Sequence, residues 1–252
     1  MIPLRLSSSN SLVYYLEMKP DSIRTSSFVA DATDFVVVKI KEAIAAKGYC
    51  IFGLAGGKTP QPIYMELAKR ESELDWKHIF ITFSDERSFP PDSPESNYYS
   101  AKKSFLDAVP IPAENVYRML GEIDPAEAAA EYEKQLYDLA KKIAVKNNTD
   151  SKVLQHDLLI LGIGDDGHTA SLFPETKALS ETKHLVVANF VSKINGYRIT
   201  LCYPLINASR HICFLVSDHK KDQAVQGALS GDKKYLAAQV TATESLTWFI
   251  GV

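Results

Sequence analysis

The sequence predicts an α/β fold, a mainly parallel sheet with helices on both faces. Three observations carry that expectation. Short apolar runs alternate with longer segments of helical period. Those helical segments supply the crossovers that parallel strands need. Glycines and charged residues gather just after the apolar runs, where open parallel sheets bind their ligands.

Taken in order, Ala32–Lys47 reads as a helix because Phe35, Val36, Val38, Ile40 and Ile44 recur near the helical period, and Gly48 stops it. Cys50–Leu54 is a short apolar strand. Pro60–Arg70 returns to helical spacing, with Ile63 and Leu67, and Tyr64 and Ala68, as i,i+4 pairs. His78–Phe83 is a strand rich in Ile and Phe, and a proline-rich loop then leads to a helix over Asn97–Leu106. Pro125–Lys142 is a helix rich in Ala and Glu. Asp157–Leu161 is a buried strand, and His184–Ala188, Arg198–Leu201 and Ile212–Val216 read as further strands. Asp218–Leu229 is a helix and Ser245–Ile250 a last strand. The polar stretch Lys146–Lys152 reads as a surface loop rather than a linker, because the α/β alternation continues across it. No internal repeat is visible, so residues 1–252 are expected to form a single domain.

Composition narrows the function. The chain has 252 residues, 46% hydrophobic and 23% charged, with net charge −3. The pI of about 6.1 leaves no global basic field for nucleic acid or an anionic membrane, so neither is an expected partner. An anionic ligand needs a local cluster of positive groups. Cys50, Cys202 and Cys213 lie in or beside apolar runs and read as core residues, not as a disulfide framework. No apolar stretch approaches the ~20 residues of a membrane span. Residues 1–18 lack a long apolar segment and carry no secretory pattern. The expected compartment is a reducing cytoplasm.

Five stretches carry chemistry. In Ala55-Gly56-Gly57-Lys58-Thr59-Pro60, two glycines bare the backbone, Thr59 suits an N-cap and Pro60 a first helical turn. A helix N-terminus with Lys58 beside it favours a phosphate, although the stretch also fits a plain strand-to-helix turn. Ser84-Asp85-Glu86-Arg87 follows the next strand, and Arg87 offers a planar fork for phosphate or carboxylate. Gly162-Ile163-Gly164-Asp165-Asp166-Gly167-His168 places a histidine beside a carboxylate that can fix its tautomer, the arrangement of a general base. Arg198 begins a strand without an obvious partner, and Lys220 sits where a helix begins. With Lys58 and Arg87 these two either form one positive pocket or are ordinary surface residues. There is no HExxH, CxxC or spaced His/Asp cluster for a metal, and no G-x-S-x-G elbow.

In this order the stretches resemble the 6-phosphogluconolactonase family, which belongs with the glucosamine-6-phosphate deaminases and isomerases. The family pattern is a Ser-Gly-Gly-Ser-Thr-Pro loop, an Asp-Glu-Arg segment followed by Ser-Asn, a Gly-x-Asp-Gly-His-Thr-Ala-Ser-Leu-Phe-Pro segment, an Arg-Ile/Val-Thr-Leu strand and a late lysine. Here these appear as Ala55–Pro60, Asp85–Arg87 with Ser96-Asn97, Gly164–Pro174, Arg198–Leu201 and Lys220. Ala55 and Lys58 depart from it, each standing where the family has serine. The deaminase branch carries a glutamate five positions after the histidine, and Phe173 stands there instead.

The resemblance implies a doubly wound, Rossmann-like α/β fold. It implies hydrolysis of 6-phosphoglucono-δ-lactone to 6-phosphogluconate in the oxidative pentose phosphate pathway, with no cofactor and no metal. Gly56, Gly57, Lys58, Thr59, Arg198 and Lys220 would hold the phosphate. His168, Asp166 and Arg87 would be catalytic, with the exchange of roles between Arg87 and Arg198 left open. A small sugar-phosphate lactone is the expected partner, and the chain is expected to act as a monomer or weak homodimer. A non-catalytic sugar-phosphate sensor and an isomerase or deaminase are the alternative readings.

Overall fold

The computed structural model describes residues 20–147 and 154–252. The expected loop at Lys146–Lys152 lies largely outside the described residues, as do residues 1–18. Six parallel strands form the main sheet: β1 (Asp21–Thr25), β2 (Cys50–Leu54), β3 (Ile79–Phe83), β5 (Leu158–Leu161), β8 (His211–Val216) and β9 (Ser245–Gly251). Their order is β1-β9-β8-β5-β2-β3, and every pairing is parallel. The sheet is doubly wound and mainly parallel, as the sequence implies.

Side chains on the inner strands alternate between two cores, as the two-residue period of a strand requires. Leu158 and Ile160 of β5, with Cys213 and Leu215 of β8, join the core under α1 (Phe28–Lys47) and α2 (Gln61–Lys69). Leu159, Leu161, Ile212, Phe214 and Val216 face the other core, which packs against α4 (Pro125–Asn147) and α6 (Asp222–Leu229). Strands covered on both faces have no polar side to show, which is why their sequences read as continuous apolar runs. The three cysteines are free and buried. Gly48 closes α1 in the left-handed conformation, φ 77°, and its N–H donates to the Ile44 carbonyl.

Three expectations are corrected here. The strands near His184 and Arg198 do not join the main sheet. They are β6 (Val186–Val191) and β7 (Gly196–Leu201), an antiparallel hairpin that pairs with β4 (Asp85–Arg87) in a second, three-stranded sheet. Only residues 192–195 separate β6 from β7, too few for a parallel crossover. Asn195 takes the left-handed turn position at φ 44°. Further, α2 starts one residue later than expected. Pro60 takes the cap position with no side-chain cap, and Thr59 is left free to accept a hydrogen bond from Ser217 Oγ at 3.2 Å. The helix expected over Asn97–Leu106 is α3 (Asn97–Ala101) followed by a π turn at Lys102–Leu106. A short α5 (Tyr203–Asn207) completes the set.

Candidate active site

From β2 the chain winds to β3 on one side, and from β5 it winds to β8 on the other. The carboxyl ends of β2 and β5 therefore form a switch point, where open α/β sheets leave a crevice. A pocket opens there. Gly56, Gly57, Lys58 and Thr59 line it from the loop after β2, Gly162 from the loop after β5, and Lys221 from the segment after β8. Gly57 has φ 88°, a conformation that turns the loop back towards α2. Lys220, one residue from Lys221, is exposed and does not line the pocket.

Gly56 is glycine for a second reason. A Cβ there would lie 1.8 Å from Asn97 Oδ1, so the loop after β2 and the start of α3 touch through it. Asn97 Nδ2 donates to the Asp85 carbonyl at 2.9 Å. The carboxylate of Glu86 is buried and accepts from the N–H groups of Arg87, Asn97 and Tyr98 and from Ser96 Oγ. Burial pushes its pKa up against the pull of these four donors. Glu86 thus pins α3 to β4, and its neighbours Asp85 and Arg87 point the other way.

The β4–β7 register sets Arg87 directly opposite Arg198. Burial lowers the Arg198 pKa, and the charge of Arg87 beside it lowers it further. Arg87 donates to the Glu95 carbonyl and Arg198 to the Tyr197 carbonyl. Among the described residues no carboxylate pairs with Arg87, Arg198, Lys58 or Lys221. Two adjacent guanidinium groups with no ion-pair partner make a receptor for an anion.

The loop after β5 presents the acid–base pair. Asp166 Oδ1 lies 2.5 Å from His168 Nδ1 and also accepts from the His168 backbone N–H at 3.2 Å. Burial would raise the Asp166 carboxyl, but hydrogen bonds from His168 and Lys193 outweigh it and hold the pKa at about 2. Nδ1 therefore carries the proton, and His168 Nε2 makes no hydrogen bond among the described residues. The Phe173 ring stacks on the imidazole at 3.9 Å. Gly164 leaves room for it, because a Cβ there would lie 2.1 Å from Nδ1. Ser171 ties this loop to the second sheet, donating through Oγ to Asp85 Oδ2 at 2.7 Å and through N–H to Thr200 Oγ1 at 3.1 Å.

The loops bearing Gly56 to Thr59, Asp166 with His168, and Lys221 thus follow β2, β5 and β8 at the same end of the parallel sheet. Arg87 and Arg198 face each other on the second sheet, which Ser171 ties to the His168 loop, and neither they nor Asp166 and His168 line the pocket itself. Sequence reasoning passed over Lys221, Asp85, Ser171 and Lys193. Ser171 and Asp85 lie inside stretches the sequence already marked, 164–174 and 84–87, which was a usable signal; Lys221 and Lys193 had none.

The family described as glucosamine-6-phosphate isomerases/6-phosphogluconolactonase matches residues 24–248. The chain belongs to this family. It is 33% identical over 239 residues to the 6-phosphogluconolactonase of a Nostoc species, covering 93% of this chain and 94% of the relative. It is 35% identical over 219 residues to that of a Synechocystis species, covering 85% and 87%. Among solved structures, the 6-phosphogluconolactonase of Thermotoga maritima superposes with TM-score 0.79 at 27% identity, covering 93% of this chain and 100% of that one. A monomeric glucosamine-6-phosphate deaminase shares the fold, with TM-score 0.73 at 21% identity.

Proposed function

We propose that this chain hydrolyses 6-phosphoglucono-δ-lactone to 6-phosphogluconate in the oxidative pentose phosphate pathway. The observation that carries the reading is the Asp166–His168 pair, with Nε2 unengaged and Phe173 stacked on the ring. A lactonase needs one base at that point. An isomerase or deaminase of the resembling pattern needs a second acid, and Phe173 has none to offer.

The phosphate is held by Gly56, Gly57, Lys58 and Thr59, which line the pocket at the start of α2 together with Lys221. On this side Lys221 lines the pocket in the position assigned from sequence to Lys220. Arg198, on the second sheet, is assigned to the phosphate from the sequence. His168 Nε2 takes a proton from water as the water oxygen bonds to the lactone carbonyl carbon. Arg87 stabilises the oxyanion that forms. The ring C–O bond then breaks, and the imidazolium returns its proton to the departing alkoxide. Asp166 keeps the imidazole oriented throughout. A lactone is already an activated ester, so no step calls for a metal or a covalent intermediate. The reading takes residues 1–252 as one domain, acting in the cytoplasm as a monomer or weak homodimer.

The test is production of 6-phosphogluconate from freshly generated lactone, with EDTA present and spontaneous hydrolysis subtracted. High turnover that survives EDTA supports the reading. Binding with only the background rate replaces it with a sugar-phosphate sensor, and release of ammonia from glucosamine 6-phosphate replaces it with a deaminase.

A further inference from the structure

The tip of the β6–β7 hairpin reaches the catalytic loop through one side chain. Lys193 Nζ lies 3.0 Å from Asp166 Oδ2 and 3.7 Å from Asp165 Oδ1. The Asp166 carboxylate is thereby divided. Oδ1 serves His168, through the ring Nδ1 and the backbone N–H, and Oδ2 serves Lys193.

The hairpin is not loosely placed. Buried Asn189 on β6 donates through Nδ2 to the Ser171 carbonyl at 2.8 Å and to Thr176 Oγ1 at 3.0 Å, on the segment that follows His168. Three residues on, Ser192–Ile194 form a tight turn and Asn195 reverses the chain. The same hairpin carries Arg198, and its β7 pairs with the β4 strand that carries Arg87.

Lys193 is 59% exposed. An ion pair this open contributes little to stability, so what it does for the fold is small. What it does for the carboxylate is geometric. A carboxylate held at one oxygen turns more freely about its Cβ–Cγ bond than one held at both.

We propose that Lys193 is a positioning residue for His168, acting through Asp166: by holding Oδ2 it keeps Oδ1 facing Nδ1, so that the imidazole stays in the tautomer with Nε2 as the proton acceptor. The proposal rests on the reading of His168 as the general base. The hydrogen bond from Lys193 is also among the causes that hold the Asp166 carboxyl ionised.

The test compares Lys193→Met and Lys193→Arg with the native chain. It reads kcat and KM for the lactone, the urea midpoint, and the tautomer of His168 by nitrogen-15 correlation in histidine-labelled protein. Lys193→Met is expected to lose kcat by roughly three- to tenfold, well short of the ~10⁴ that follows removal of an orienting carboxylate function. KM and the urea midpoint should stay near native, and the single Nδ1–H signal of His168 should give way to a mixture of tautomers. Lys193→Arg should restore both kcat and the single signal. A native tautomer signal in Lys193→Met overturns the proposal, as does a change confined to KM, which would make Lys193 a substrate contact. The tautomer is read without substrate, so loss of the lactonase reading leaves this test standing.

Discussion

Strand β5 has a histidine and an aspartate near each end, and the two pairs live in opposite surroundings. Before the strand, His156 is buried, with Nε2 3.0 Å from Thr82 Oγ1 and Nδ1 3.5 Å from Ser209 Oγ. Asp157 beside it pairs with Lys47, accepts from the Ile51 N–H at 2.9 Å, and lies 3.9 Å from Arg210. After the strand, Asp166 and His168 pair with each other, Lys193 holds the other carboxylate oxygen, and the outer nitrogen of the imidazole is unengaged among the described residues. Residue types alone do not separate the two ends. What separates them is saturation: at the floor both imidazole nitrogens and the carboxylate have partners, and at the mouth the imidazole keeps Nε2 free and Arg87 and Arg198 have no ion-pair partner among the described residues.

The largest effect is expected at the mouth. Replacing His168 by Ala should cut kcat for the lactone by roughly 10²–10⁴-fold, the range of a general base. Gly164→Ala should follow, because its Cβ would lie 2.1 Å from Nδ1 and must push the ring aside. A displacement of that kind costs roughly 10²-fold in turnover, and native turnover would show that the ring position does not matter. For the arginine pair, each lost charge-assisted hydrogen bond of about 1.5–3 kcal/mol translates into roughly ten- to a hundredfold. Arg198→Ala should raise KM and Arg87→Ala should lower kcat, and the opposite split would exchange their roles.

At the floor the expected effect is on stability and pH. Burial lowers the His156 pKa to about 4, against an ordinary value of 6.5. Between about pH 6.5 and 4 the unfolded chain takes up a proton that the native state refuses, so stability falls as pH falls, by up to about 1.4 kcal/mol per unit. Asp166, at about 2 against 3.8, adds a second loss further down, because the native carboxyl resists protonation there as well. Urea midpoints of the native chain and His156→Ala at about pH 7 and 5 check this: the slope above pH 4 should shrink in the variant, which should also be less stable by about 2–4 kcal/mol. The smallest change is expected for Lys58→Ser. Lys58 is exposed at the pocket rim, and exchanging its ammonium for a hydroxyl should raise KM by a few-fold only, read from 6-phosphogluconate production.

Much of the main sheet was legible because its strands are buried on both faces and so read as apolar runs. Strand Cys50–Leu54 and the stop at Gly48 stand where the sequence put them. Strand β1 was missed, since its five residues, Asp-Ser-Ile-Arg-Thr, lie exposed at the sheet edge and hold a single apolar side chain. Strand β4 was missed because three consecutive charged residues do not look like a strand; it forms one because Glu86 is satisfied by four donors. The second sheet had a local signal, Asn195-Gly196 at a reversal between two apolar runs, that outweighs the general rule of parallel crossovers. The loops of the site were legible because parallel strands deliver their carboxyl ends to one edge. Lys221 and Lys193 were not, because which of two adjacent lysines faces a pocket, and what a hairpin tip touches, depend on tertiary placement.

The contrast between the ends of β5 is tested most directly by turnover of freshly generated lactone by His168→Ala and His156→Ala, each expressed per folded molecule. The account expects a loss of roughly 10²–10⁴-fold in the first and near-native turnover in the second. Native turnover by His168→Ala would contradict it.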